Sequence, residues 1–188
     1  MKIYLAGPDV FLPDAVETGR RKQEICARHR LIGLYPLDNA VDLSAGDASL
    51  RIFRGNEAMM NGADAIIANL TPFRGASADA GTVYELGYMA GRGKLCLGYC
   101  NDLMLYADRV RKFTEVTSRG SRLVDTDGLT VEDFGLPDNL MMIHALELRG
   151  YPLVTPRQAP ADLWHDLTAF EVCVRMAAER LPPPPASS

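Results

Sequence analysis

The sequence lacks the cysteine and histidine spacing of a metal site. Its 188 residues include four cysteines, none of them in a C-x-x-C pair, and three scattered histidines. We therefore predict no zinc centre and no other metal site. Four cysteines in a chain of this size do not indicate a disulfide scaffold either, so a reducing cytoplasm is the expected setting.

Long apolar segments and runs of basic residues are also absent. The N-terminal stretch MKIYLAGPD is apolar over too short a length for a signal peptide, and no apolar run approaches the length of a membrane span. The net charge is −4. The sequence therefore predicts neither a nucleic-acid partner nor a membrane partner.

The chain does contain alternating strand and helix patterns. The strand patterns are at 2–7, 31–37, 63–70 and 94–99, and the helical patterns are at 14–30, 51–61, 82–91 and 160–181. The stretch LMMIHALEL is predicted as a helix leading into a last strand. This alternation predicts an α/β fold with a doubly wound parallel sheet. The continuously apolar ADAIIANL is typical of a central strand that is buried on both faces.

The chain length favours one domain, which we place at 1–181. Within it, 101–137 is charged and irregular, and is predicted as a lid or insertion. The segment PPPPASS at 182–188 is predicted as a disordered tail.

Ligands of doubly wound sheets lie at the carboxyl ends of the strands. The loops at 7–11, 37–39 and 71–81 are therefore the expected site. The turn AGPDVF after the first strand has neither the G-x-G-x-x-G pattern of a dinucleotide site nor the G-K-[ST] of a P-loop, and it is a weak motif when taken alone.

Two carboxylates mark the third of these loops and the helix that follows it. One interpretation of Glu85 is a capping box, with Thr82 as the N-cap. The other is a nucleophile kept ionised by the helix dipole. Asp79 is interpreted either as a turn residue or as the partner of Glu85 in cleaving a glycosidic bond.

Five motifs occur together and in a characteristic order: IYLAGPDVF, PLDN, NEAMMNGADAIIANLTPFRG, DAGTVYELGY and FGLPDNLMM. Together, from Lys2 to about Met142, they closely resemble the nucleoside 2-deoxyribosyltransferase family. The resemblance implies a flavodoxin-like sheet, a role in nucleotide salvage and no cofactor. It also implies that the partners are a 2′-deoxynucleoside, a free nucleobase and further copies of the chain, with active sites shared between subunits.

The resemblance also assigns roles to individual residues. Glu85 matches the glutamate that attacks the anomeric carbon, and Asp79 matches the aspartate that binds the sugar hydroxyls or helps to move protons. Tyr4 matches the tyrosine that orients the nucleophile. Asn139 matches an asparagine that a neighbouring subunit lends to the 5′-hydroxyl.

Further residues are predicted to bind the substrate. They are Gly7, Phe11, Asp38, Asn39, Asn56, Phe73, Gly81 and Met141. Phe11 and Phe73 are interpreted either as stacking on the base or as anchors of the core and loops.

The sequence departs from the family pattern at two positions near the base. Asn56 stands where many bacterial members have an aspartate that is a candidate to protonate the leaving base. An amide cannot act as that acid. Ala40 stands where some members have a glutamine that touches the base, so base preference does not carry over from that position.

We therefore expect two-step transfer of 2-deoxyribose between bases with retention, through a deoxyribosyl ester of Glu85, and a preference for purines. One alternative is an N-glycosidase that hydrolyses nucleosides or their 5′-monophosphates, for which Arg74 and Ser77 are candidate phosphate ligands. Phosphoribohydrolases with a G-T-x-x-E helix start share Gly81, Thr82 and Glu85 with this chain but usually have a richer glycine loop. The other alternative is a nucleoside-binding module without catalysis.

Overall fold

The structure is a computed structural model that describes residues 1–39, 44, 46–149 and 151–180. Ala40 and the predicted tail at 182–188 lie outside the described residues. Within the described part, no helix is both long enough and apolar enough to span a membrane.

The expected doubly wound parallel sheet is confirmed. Four strands pair in the order β2-β1-β3-β4, and every neighbouring pair is parallel. The strands are β1 (Lys2–Ala6), β2 (Ile32–Leu34), β3 (Ala65–Asn69) and β4 (Leu95–Tyr99). All five residues of β3 are buried, as its continuously apolar sequence predicts for a central strand.

Six helices accompany this sheet in the described residues. They are α1 (Ala15–Arg28), α2 (Ala48–Gly62), α3 (Ala80–Gly91), α4 (Tyr106–Val110), α5 (Leu140–Glu147) and α6 (Thr168–Arg180). Because strand side chains alternate between faces, Ile3 and Leu5 of β1 pack with α1 and α6, whereas Tyr4 and Ala6 pack on the face covered by α2, α3 and α5. Tyr4 therefore points toward α3.

The order of the strands opens a crevice between β1 and β3. From β1 the chain crosses to β2 on one side, and β3 lies on the other side. The loops that follow β1 and β3 therefore diverge, as at the topological switch point of other open α/β sheets. A 3-10 turn at Pro8–Phe11 forms one wall of this crevice.

A buried ion pair fixes the turn after β1. Lys22 of α1 donates to Asp9 Oδ2 at 2.6 Å, and both side chains are only 1% exposed. The other oxygen of Asp9 accepts from Asn69 Nδ2 at 3.1 Å. A Cβ atom at Gly7 would lie 2.3 Å from Asp9 Oδ2 and 2.7 Å from Asn69 Cβ, so only glycine fits where the backbone passes this network.

The segment 101–137 contains more regular structure than its sequence predicted. It includes α4 and a three-stranded antiparallel sheet of β5 (Thr117–Arg119), β6 (Arg122–Val124) and β7 (Thr130–Val131). Its role as a lid stays a prediction.

Other helix and strand boundaries also differ from the sequence predictions. Helix α2 begins three residues earlier than expected. The prediction of a strand directly after the LMMIHALEL helix is wrong. Helix α5 ends at Glu147, and among the described residues that follow it Val154 forms a single parallel bridge with Tyr99 of β4. Helix α6 begins at Thr168 rather than at 160, because Asp162 accepts from the backbone N–H groups of the next turn and holds it out of the helix.

Candidate active site

A cleft of about 410 Å³ opens at the carboxyl ends of β1 and β3. This volume falls within the roughly 300–1,000 Å³ of small-molecule sites. Seven residues that the sequence predicted for the site line it: Gly7, Phe11, Asn39, Asn56, Asp79, Gly81 and Glu85. The cleft has an apolar end formed by loops and by α2, and a polar end at the start of α3.

The polar end centres on a hydrogen bond between β1 and α3. Tyr4 donates its hydroxyl to Glu85 Oε1 at 2.6 Å, across 81 residues of sequence. Burial raises the pKa of Tyr4 far above its usual value, and the neighbouring Glu85 carboxylate adds to this shift. Tyr4 therefore remains protonated and serves as a fixed donor to Glu85.

Glu85 is a carboxyl group whose pKa is raised to about 7. Removal from water is the largest cause, because burial penalises the ionised form. The hydrogen bond from Tyr4 opposes this shift, whereas the charge of Asp79 adds to it. The group thus titrates near neutral pH, which is the range that suits proton transfer and controlled nucleophilicity.

The capping-box interpretation of Glu85 is wrong. The N-cap of α3 is Asp79, whose Oδ2 accepts from Thr82 N at 2.9 Å and from Thr82 Oγ1 at 3.0 Å. Glu85 is therefore the sixth helical residue, in the second turn, where the dipole has weakened. The expectation that the dipole keeps Glu85 ionised fails for the same reason, and burial decides the pKa instead.

Asp79 is more than a turn residue, since it caps α3 and also lines the cleft. Its capping bonds use Oδ2, which orients the carboxylate. A Cβ atom at Gly81 would lie 3.1 Å from this oxygen, so glycine leaves the capped carboxylate undisturbed. The charge of Asp79 reaches Glu85, as the pKa shift of Glu85 indicates.

The apolar end is walled by aromatic rings. Phe11 lines the cleft with its side chain 55% exposed, and it stacks on Phe73 with ring centres 5.3 Å apart and an interplanar angle of 11°. Phe73 lies behind Phe11 and does not itself line the cleft. The Arg74 guanidinium lies 5.3 Å from the centre of the Phe11 ring and 4.6 Å from that of Phe73.

Two amides face each other across the cleft rim. Asn39 Nδ2 donates to Asn56 Oδ1 at 3.4 Å. A Cβ atom at Gly55 would lie 2.5 Å from Asn39 Nδ2, so the glycine before Asn56 makes room for this pair. No charge is present at this position, where an aspartate would have supplied one.

Besides Phe73, three predicted substrate ligands do not line the cleft: Asp38, Asn139 and Met141. Asp38 uses Oδ2 to accept from Tyr35 N and from Gln23 Nε2, both at 2.9 Å, and so stabilises the turn at Pro36–Asp38. Asn139 is the N-cap of α5 and donates to Glu132 Oε1 at 3.0 Å. Met141 is 72% exposed on α5.

Sequence reasoning did not name five of the cleft residues as substrate ligands. They are Val10, Pro36, Leu37, Ile52 and Thr82, of which Val10 and Leu37 lie in loops that it had predicted for the site. Helical spacing was a usable signal for Ile52, because it lies four residues before Asn56 and therefore shares its face of α2. Leu37 and Pro36 carry no such signal, since a loop has no periodicity.

The loop before α3 is fixed by a buried pair that carried no sequence signal. Arg109, 2% exposed, donates to the carbonyl oxygens of Ala76 and Pro137 and lies 3.4 Å from Asp138 Oδ2. Asp138 accepts from Ser77 Oγ at 2.5 Å. Ser77 is therefore engaged within the protein rather than open to a phosphate.

In the part of the chain that the structure describes, no three His, Cys, Asp or Glu side chains group together as ligands for a metal ion.

Comparison with known proteins agrees with this site. A family model described as nucleoside 2-deoxyribosyltransferase matches residues 3–141. The chain is 34% identical over 164 residues to an uncharacterized protein of Schizosaccharomyces pombe, with 79% of this chain and 78% of that protein covered. Among solved structures it resembles a 2-desoxiribosyltransferase from Leishmania mexicana, at 30% identity and a TM-score of 0.64, covering 96% of this chain and 99% of the other.

A conserved protein from Enterococcus faecalis V583 has the same fold. Its TM-score is 0.57 at 22% identity, with 94% of this chain and 98% of that chain covered. At that identity the likeness concerns the fold alone.

The origin of the raised pKa can be tested by titration. We expect the Glu85 carboxyl to titrate at about 7. Tyr4→Phe should raise this pKa further, because it removes a donor to the ionised form, and Asp79→Asn should lower it, because it removes a like charge. Carbon-13 NMR of labelled glutamate carboxyls measures each value, and Glu85→Gln identifies the signal. Shifts in the same direction for both variants would contradict this account.

Proposed function

Because the chain belongs to the nucleoside 2-deoxyribosyltransferase family, we propose that it exchanges the base of a 2′-deoxynucleoside through a covalent intermediate on Glu85. The chain is an enzyme of this class, a nucleoside deoxyribosyltransferase. The single observation that carries the covalent step is the buried Glu85 carboxyl bonded to Tyr4.

In the first step, one oxygen of ionised Glu85 attacks C1′ of the donor. The bond from C1′ to the base breaks, its electron pair leaves with the base, and the base takes up a proton. In the second step, a nitrogen of the acceptor base attacks C1′, loses a proton and releases the Glu85 carboxylate. Each step inverts C1′ through an oxocarbenium-like transition state, so the product retains the donor configuration.

The hydrogen bond from Tyr4 supports different roles for the two carboxylate oxygens of Glu85. Oε1 is occupied by the Tyr4 hydroxyl. Oε2 makes no hydrogen bond within the described residues, and so is the oxygen available to attack. A fixed donor on one oxygen orients the other, which is the arrangement that a carboxylate nucleophile requires.

Burial of Glu85 favours the ester for the same reason that it raises the pKa. The ionised carboxylate is penalised by its removal from water, whereas an ester carries no charge and avoids that penalty. The site therefore disfavours the free nucleophile relative to the covalent intermediate. A nucleoside-binding module without catalysis does not require a buried carboxyl group whose ionised form is penalised in this way.

Asp79 suits a role at the sugar. It lines the same cleft as Glu85, and its capping bonds fix Oδ2 while Oδ1 makes no bond within the described residues. Oδ1 is then free to accept from a sugar hydroxyl or to carry a proton to or from a base. This matches the role that the family resemblance gives to Asp79.

The charge of the cleft favours nucleosides over 5′-monophosphates. Its described lining holds two carboxylates, Asp79 and Glu85, and no lysine or arginine. The nearby Ser77 hydroxyl donates to Asp138, and Arg74 covers aromatic rings. A phosphate would thus meet negative charge without the basic ligands it requires.

We propose that purine deoxynucleosides are the preferred donors. Asn56 lines the cleft where a carboxylic acid would protonate the leaving base. Purines accept a proton on ring nitrogens away from the glycosidic bond, so they depend less on such an acid. Pyrimidines depend more on a donor at the carbonyl oxygen.

We also propose that the enzyme is a homo-oligomer with sites shared between subunits. Asn139 and Met141 lie outside the cleft of their own chain, and Met141 is 72% exposed. Exposed aromatic rings also lie on α2 and α3, beside the cleft residues Ile52 and Glu85, with the ring centres of Phe53 and Tyr84 6.4 Å apart. An exposed apolar surface next to an incomplete site is what a subunit interface would cover.

Replacing the nucleophile tests the covalent step. Glu85→Gln should lower the transfer rate on the order of 10⁴-fold or more, while the protein stays folded because no buried charge is left unpaired. The wild type should give parallel double-reciprocal lines as the acceptor base is varied. The exposed Glu24→Gln of α1 is the control and should leave the rate unchanged. Intersecting lines, or substantial turnover by Glu85→Gln, would indicate direct displacement.

Chromatography of reactions with and without an acceptor base separates transfer from hydrolysis. A transferase gives a new deoxynucleoside only when the second base is present. Free deoxyribose at the same rate in both reactions would favour the N-glycosidase instead.

Mixing inactive variants tests the shared site. Glu85→Gln subunits combined with Asn139→Ser subunits should regain activity, because one type of mixed site carries neither lesion. Serine retains the N-cap of α5 while removing the amide. Mixing Glu85→Gln with Tyr4→Phe is the control, since every site then carries a lesion. Equal, low activity in both mixtures after proven subunit exchange would assign Asn139 to its own protomer.

Restoring an acid at position 56 tests the base preference. Asn56→Asp should increase kcat/KM for thymidine relative to deoxyinosine by on the order of 10²-fold, the usual size of a general-acid effect. The gain should fade as pH rises through the pKa of the new group. Asn61→Asp, at the exposed end of α2, is the matched control. A wild-type preference for thymidine, or an unchanged ratio, would show that Asn56 does not govern base choice.

A further inference from the structure

The chain beyond the matched family region packs against a ring that supports the wall of the cleft. The family model ends at residue 141, yet Trp164 packs its ring edge-on against Phe73, with ring centres 6.0 Å apart at 90°. Phe73 stacks in turn on Phe11, which lines the cleft. The three rings form an aromatic row that runs from the cleft to Trp164.

The outer end of this row is held firmly by hydrogen bonds around Trp164. The side chain of Asn101, which is 1% exposed, donates to the carbonyl oxygens of Leu163 and Asp166 at 2.7 and 2.9 Å. Asp162 Oδ1 accepts from Trp164 N at 2.9 Å. The backbone on both sides of Trp164 is therefore tied to the core and to its own turn.

A second contact fastens the same turn to α1. The two ring nitrogens of His165 lie 2.7 Å from Asp162 Oδ2 and 3.1 Å from Asp14 Oδ1. Asp14 is the residue before α1, and α1 carries Lys22 of the buried pair that fixes the turn leading to Phe11. The aromatic row is thus anchored at one end through Asp9 and at the other through His165.

Phe11 lies at the edge of the cleft, where Phe73 and the Arg74 guanidinium contact its ring. Phe11 is 55% exposed, lines the cleft and stacks on Phe73. Trp164 contacts Phe73 in turn, so it supports the ring on which Phe11 stacks.

We propose that Trp164 is a positioning residue that sets the place of Phe11, and thereby the fit of the base in the cleft. This inference rests on the proposed function, since it takes a nucleobase as the ligand of the apolar end. Aromatic pairs favour offset and edge-on geometries. Without the contact from Trp164, Phe73 can shift away from the cleft and Phe11 can shift with it. The apolar end of the cleft then becomes wider and fits a planar base less closely.

Replacement of Trp164 should therefore change binding rather than chemistry. Trp164→Leu should raise KM for the acceptor base roughly two- to tenfold, the range that an aromatic contact is worth, with kcat changed less than twofold. Trp164→Phe keeps an edge for Phe73 and should recover most of the affinity. Tyr151→Leu is the control, because Tyr151 packs beside α6 under Arg180, away from the cleft.

A spectroscopic readout is available, since Trp164 is the only tryptophan. Hypoxanthine titrated into the Glu85→Gln protein, with excitation at the red edge of the tryptophan band, should change the emission saturably. The midpoint should agree with the dissociation constant from calorimetry. The change should be absent when hypoxanthine is added to unfolded protein.

Two results would overturn the proposal. One is an unchanged emission while calorimetry shows hypoxanthine bound. The other is Trp164→Leu with lower thermal stability but the same KM for base, which is the signature of a structural role. Failure of the proposed function is a separate result, because it appears as no base exchange by the wild type in the chromatographic assay.

Discussion

The architecture of the site depends on the buried pair of Asp9 and Lys22. Two charges that are each 1% exposed are tolerated only with close partners, because an unpaired buried charge is far more costly than an exposed one. Asp9 obtains its partners from two elements. Lys22 comes from α1, which lies over the turn after β1, and Asn69 comes from the end of β3. The ion pair thus ties three elements together, and Gly7 lets the backbone pass beside it. The turn at Pro8–Phe11, which walls the crevice, is held in place in this way.

In β1, side chains alternate between the two faces of the sheet, so Tyr4 points toward α3. Two opposing effects on the pKa of Glu85 follow from this geometry. Packing between sheet and helix removes the carboxyl from water and raises its pKa, whereas the Tyr4 hydroxyl partly restores the ionised form. The outcome is a group that is neither permanently charged nor permanently neutral at about pH 7. A surface glutamate would be ionised but well solvated, and a glutamate without Tyr4 would lack a stabilising donor. The intermediate environment gives a carboxylate that is available and weakly solvated.

Local patterns in the sequence predicted the strands, the doubly wound sheet and the loops that bear the site, because apolar runs and turn residues record them directly. They did not distinguish Thr82 from Asp79 as the cap of α3, since both residue types cap helices and only the backbone dihedral angles decide. The pKa of Glu85 was misjudged for a related reason. Burial depends on which face of α3 meets β1, and no local pattern encodes it. The contact of Trp164 with Phe73 spans 91 residues and required the tertiary structure to be seen.

The two ends of the cleft are built from different kinds of structure, and this separates chemistry from recognition. Tyr4, Asp79 and Glu85 stand on a central strand and a helix, elements that hold side chains to within the small tolerances that bond formation requires. The apolar end consists of the 3-10 turns at Pro8–Phe11 and Pro36–Asp38 and of the first turns of α2, with Phe11, Leu37 and Ile52 all exposed. Loops accept substitutions that a sheet does not. Under the proposed function, substitutions at the apolar end leave the hydrogen bond from Tyr4 to Glu85 undisturbed, provided that Phe73 and Trp164 still support Phe11.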